Sequence, residues 1–134
     1  MNRSAIRGSL CGALTIALIA LGVAPAHAVK AFKDQFEALY IKPDSTQPAH
    51  RALSKAVDAA KCNICHVGMS KKDRNDYGQA LSRLISKDKD KDNPKAIREA
   101  LEKVAAVRSD PKNPKSPTFG ELIQQGKLPV PVAE

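Results

Sequence analysis

Cys62-Asn63-Ile64-Cys65-His66 places two thiols and an imidazole within five consecutive residues of a 134-residue chain whose one other cysteine is Cys11. A pair of cysteines at this spacing serves a redox disulfide, part of a zinc site, or the covalent attachment of a haem. A redox pair of the thioredoxin kind sits beside a strand, with its thiolate stabilised at a helix N-terminus. Here a helical pattern leads into the cysteines and no strand pattern flanks them. Zinc asks for four ligands. Beyond residue 28 the chain offers only His50 and His66 in addition to the pair, and His66 adjoins Cys65 too closely for both to reach one ion easily. Haem attachment uses all three residues at once. The two thiols add to the vinyl groups as thioethers, and the histidine that follows brings its Nε2 to the iron.

The N-terminus bears on the choice. Arg3 and Arg7 precede an uncharged apolar run from Leu10 to Ala24, and Ala26 and Ala28 stand at the small-residue positions of a cleavage site. This order is that of a secretory signal peptide, residues 1–28, removed from the mature chain. The run is shorter than the ~20 residues that span a bilayer, and an uncleaved anchor is the competing reading. Residues 29–134 then form a single exported, periplasmic domain with no membrane-spanning segment. Cys11 leaves with the leader. A disulfide between Cys62 and Cys65 would close too small a loop to add much stability.

Helical periodicity organises the remainder. Val29, Phe32, Phe36, Leu39 and Tyr40 share one face, and Lys42 to Pro48 break the pattern. Leu53, Ala56, Val57 and Ala60 form a stripe that leads straight into the cysteines, and Tyr77, Leu81, Leu84 and Ile85 form a third. Asn93-Pro94 has the form of an N-cap followed by proline at the first helical position, opening a helix with Ile97, Leu101 and Val104. Thr118 and Glu121 have capping-box spacing, with Gly126 as a stop. No stretch alternates long enough for a strand. The expectation is an all-α domain of four or five helices. Its core is thin, with three phenylalanines, two tyrosines and no tryptophan. Small domains of this kind commonly lean on a cofactor, metal or disulfide.

With its signal peptide, its CNICH stretch and its helical surroundings, the sequence resembles a small exported monohaem c-type cytochrome. Lys71 to Leu84 (KKDRNDYGQALSRL) and Ser116 to Pro129 (SPTFGELIQQGKLP) are further similar to a group of bacterial predicted cytochromes. The resemblance implies a small cytochrome c-like helical bundle wrapped around one covalently attached haem c, with Cys62 and Cys65 as thioether anchors and His66 as proximal ligand to the iron.

The second axial ligand is less plain. Many such cytochromes supply a methionine from far downstream, whereas Met69 lies only three residues past His66, at most ~10 Å of extended chain. His50 is the other candidate for the distal position. An unbroken helix from it to Cys62 would be about 18 Å long, so it reaches iron only if the chain breaks or folds back. Lysine or Tyr77 ligation and an open five-coordinate iron stand beside these. Asp88, Asp90, Asp92 and Glu99 fall at calcium-loop positions one, three, five and twelve, but Asn93 stands where that loop needs glycine. A helix cap explains the same acids more simply.

The formal net charge of +8 favours encounters with acidic partners or anionic surfaces, and a Lys-rich solubilising surface accounts for it equally. Nucleic acid is excluded by export and by an aromatic content of 4%. The function expected is electron transfer by a monohaem cytochrome outside the cytoplasmic membrane, with a redox partner protein that an acidic surface would suit. The alternative is a haem-based small-ligand binder or sensor with an open distal iron site. No catalytic apparatus is visible, so an enzyme is not expected.

Overall fold

The structure, a computed structural model, describes residues 27–69 and 71–130. The segment read as a signal peptide lies outside the described residues except for His27 and Ala28, which open the first helix. In chain order the elements are α1 (His27–Tyr40), α2 (Pro48–Ala60), a 3-10 turn (Lys61–Ile64), α3 (Asp76–Leu84), α4 (Lys87–Asp90), α5 (Pro94–Ala105) and α6 (Phe119–Gln124). Among the described residues there is no strand, only two isolated bridges, His66 to Arg74 and Arg108 to Thr118. The domain is all-α, as the periodicity indicates. No described helix is long and apolar enough to cross a membrane.

Local chemistry explains the boundaries. Along α1, Lys30 pairs with Asp34 at 2.8 Å and Lys33 pairs with Glu37, each one helical turn apart on the polar face. Asn93 caps α5 by accepting the Ala96 N–H at 3.1 Å, with Pro94 at the first helical position. Thr118 and Glu121 form the full capping box of α6. Gly126 follows that helix at φ 78°, and a Cβ there would lie 2.5 Å from the Ala49 carbonyl oxygen, so the chain end packs directly on the start of α2.

α5 is the hub, packing against α1, α3, α4 and α6. Its Ile97, Leu101 and Val104 are almost wholly buried, and they meet Phe36 of α1, Tyr77 of α3 and Phe119 of α6 in one core. The Tyr77 ring stands edge-on between Phe36, at 6.0 Å, and Phe119, at 5.1 Å, the geometry in which ring edges meet ring faces favourably. Three of the five aromatics thus form the centre of the bundle.

The acidic run before α5 is not a calcium loop. Asp88 and Asp90 lie in the short helix α4, and the Asp90 carboxylate turns back to accept the Ser86 N–H at 2.8 Å. Among the described residues, no three His, Cys, Asp or Glu side chains converge in a way that could hold a metal ion.

Candidate cofactor site

The cysteine segment owes its position to a break in the helix before it. Lys61 adopts φ 52° and ψ −109°, and its N–H closes α2 on the Val57 carbonyl. Positive φ is unfavourable for a residue with a Cβ. It redirects the chain from α2 into a 3-10 turn, where the Cys65 and His66 N–H groups both reach the Cys62 carbonyl at 3.2 Å. Both cysteines are free thiols.

The start of α3 clamps that turn. Asn75 caps α3 through its Oδ1, which accepts the Gly78 N–H at 2.9 Å. Its Nδ2 meanwhile donates to the Ile64 carbonyl at 3.0 Å and to that of Asn63 at 3.2 Å. The Asn75 N–H donates to the Cys65 carbonyl at 3.2 Å. Gly78 lets the two backbones touch: a Cβ there would fall 2.0 Å from the Cys65 carbonyl oxygen. His66 is oriented separately. Its Nδ1 lies 3.2 Å from the Asp73 carbonyl oxygen. A carbonyl can only accept, so that nitrogen carries the proton and Nε2 keeps its lone pair for a metal. This is the usual arrangement of a ligating histidine, whose other nitrogen donates to a backbone carbonyl or carboxylate.

Cys62, Cys65 and His66 all line one cavity of about 600 Å³, within the range of ordinary cofactor pockets. Its apolar walls are Phe32 and Phe36 of α1, Ile64 of the turn, Leu81 of α3, Ile85, and Leu101 of α5. The residues fit a covalently held haem. The two thiols and the metal-ready imidazole face a common space, and the walls are those a porphyrin face would contact. Beside the site, the Tyr77 hydroxyl is fully buried and has no hydrogen-bond partner among the described residues. Burial, with the neighbouring Tyr40 and Cys65, raises its phenol well above the ordinary value. Burial also pushes the Cys65 thiol up to about 12, with Cys62 adding to the effect and Arg74 opposing it. A redox-active pair needs a thiolate stabilised near neutral pH; burial of Cys65 does the reverse for that thiol.

The remaining ligand candidates are scattered. His50 sits in the first turn of α2, its Nδ1 2.6 Å from the Ser45 Oγ, and α2 carries it away from the cysteines. His50 does not line the cavity, and neither does Tyr77. Met69 is fully exposed. Among the described residues, no methionine and no second histidine lines the cavity. What sequence reasoning missed is the charge there: Lys30, Lys33, Lys61, Lys71, Arg74 and Lys87 all line the cavity, and among the described residues no carboxylate does. Their separation along the chain hid the cluster. No family model, curated protein or solved structure matches this chain.

Proposed function

We propose that this is an exported carrier of one covalently held haem c, passing single electrons outside the cytoplasmic membrane. The observation that carries the reading is the convergence of Cys62, Cys65 and His66 on a single apolar-walled cavity of about 600 Å³. Cys62 and Cys65 are the thioether anchors, and His66 offers Nε2 with its other nitrogen held by Asp73. Bound haem supplies an iron that exchanges one electron at a time. The apolar side chains in the wall would contact a bound haem, and the polarity around it is one lever on its potential. An acidic surface on the redox partner suits the positive charge of the chain.

The test is expression with its leader in a host competent in haem attachment, followed by denaturing electrophoresis and the absorption spectrum of the pyridine-treated protein. One covalent haem per chain is expected, with loss of attachment in Cys62→Ser and Cys65→Ser and an altered spectrum in His66→Ala. A mature chain that carries no haem from such a host refutes the reading.

A second reading, a haem-based small-ligand binder or sensor, is favoured by one observation: among the described residues, neither a methionine nor a second histidine lines the cavity. Carbon monoxide added to the reduced protein separates the two. Binding supports an accessible sixth position, and an unchanged spectrum supports a filled one.

A further inference from the structure

Six cations line the candidate cofactor cavity, from four separate parts of the chain, and among the described residues no carboxylate lines it with them. Two have their own counterions, since Lys30 holds Asp34 and Lys33 holds Glu37. Lys61, Lys71, Arg74 and Lys87 make no ion pair among the described residues. They share the cavity with apolar walls from Phe32, Phe36, Leu81 and Leu101. A low-dielectric wall focuses the field of nearby charges and raises the local concentration of counter-ions. An ammonium or guanidinium has donors only and no lone pair to offer a metal, so as cations these side chains recruit ligands without acting as ligands themselves.

We propose that Lys61, Lys71, Arg74 and Lys87 make this cavity selective for small anions, of the azide, cyanide or nitrite class, over neutral molecules of similar size. The inference rests on the haem reading for its location and adds to it the class of ligand and the residues that select it. It differs from steering by overall charge, because the cations act at one cavity. Neutralising lysines elsewhere on the surface should then have little effect.

The test uses the haem-loaded, oxidised protein, with haem content measured first for every variant from the pyridine-treated spectrum. Azide is titrated at low and high salt, with imidazole as a ligand that carries no negative charge, and binding is read from the Soret band and by calorimetry. Azide is expected to bind, more weakly at high salt. Lys61→Gln, Lys71→Gln, Arg74→Gln and Lys87→Gln should each weaken it about two- to five-fold, the effect of one unit charge roughly 8 Å away at an effective dielectric of about 40 to 80. Arg74→Lys should retain most of the affinity. Imidazole affinity should be unchanged throughout, and so should azide affinity in Lys103→Gln and Lys112→Gln, whose parent side chains do not line the cavity. Loaded protein that ignores azide, or whose azide affinity is the same in all variants and at both salt concentrations, overturns the proposal while leaving the haem reading intact. A wild-type chain without haem overturns both.

Discussion

Replacing Gly78 by alanine sets two physical effects of opposite sign against each other. Gly78 lies inside α3, and at an ordinary helix position the change gains about 0.8–1.0 kcal/mol of helix propensity. Here the new methyl would lie 2.0 Å from the Cys65 carbonyl oxygen, 2.9 Å from its carbon and 3.2 Å from the Cys65 Cα. All three are backbone atoms of the cysteine turn, so no flexible side chain can yield. Either α3 or the 62–66 turn must retreat by more than ~1 Å. Overpacking of this kind costs about 1–3 kcal/mol and occasionally more. The retreat also strains the bonds from Asn75 to Asn63, Ile64 and Cys65, each worth about 0.5–1.5 kcal/mol net. Steric cost exceeds propensity gain, and the expected net loss is about 2 kcal/mol. For a domain near 100 residues that corresponds to roughly 8–12 °C in Tm. Thermal unfolding followed by far-ultraviolet circular dichroism measures it, with Arg83→Ala, an exposed change in the same helix, as control. Haem yield per chain should fall in parallel, because the displaced segment is the one that presents Cys65 and His66. A Gly78→Ala protein as stable as the wild type, or more stable, would refute the backbone contact and with it the clamp on the cysteine turn.

Thr118→Ala removes the side-chain half of the α6 capping box and should cost about 1 kcal/mol, a Tm decrease of several degrees with no change in the visible spectrum. Tyr77→Phe deletes a buried hydroxyl that has no hydrogen-bond partner among the described residues. An unmade bond of this kind costs about 1–3 kcal/mol, so the haem-free chain should be as stable or more stable by denaturant titration, and a clear loss would mean that the hydroxyl has a partner. Tyr40 donates to the Leu101 carbonyl at 3.2 Å, and burial, with Glu102 adding to it, raises its phenol from 10.0 to about 12. The folded state therefore favours the protonated form. That contribution to stability is complete below about pH 10 and disappears as the pH rises to about 12, and Tyr40→Phe should flatten the alkaline limb of a stability-versus-pH curve.

Much of this fold could be read from local signals because its helix boundaries are set by local chemistry. Asn93-Pro94 and the Thr118–Glu121 pair carry their partners within three residues, and both caps form as the spacing indicates. The stripe through Leu53 and Val57 likewise leads to the cysteines and buries both residues. The break at Lys61 had no such signal. Neither glycine nor asparagine marks the positive φ there, and the conformation is imposed by α3 holding the turn from a distance. Gly78 is similar: inside a helical pattern it reads as a small loss of propensity, and only the approach of the Cys65 backbone gives it a purpose. α4 is too short to show a period, so the return of the Asp90 carboxylate to the Ser86 N–H could not be read from the spacing of its acids.

The charge of the chain shows where a bulk property stops and an arrangement begins. A net +8 says only that anions are attracted somewhere, and a solvated lysine surface explains it as well as a binding site does. Once folded, α1 contributes Lys30 and Lys33, the turn contributes Lys61, the loop before α3 contributes Lys71 and Arg74, and the start of α4 contributes Lys87 to one cavity that no carboxylate of the described residues lines. Like charges brought together repel, and that cost falls on the folded state. Lys30 and Lys33 lessen it by pairing within α1, whereas the other four have no ion pair among the described residues. A group with two carboxylates, or an anion drawn in beside it, offsets the repulsion. Stability of the loaded protein should therefore rise with added azide at constant ionic strength, and that rise should vanish when the four unpaired cations are neutralised together.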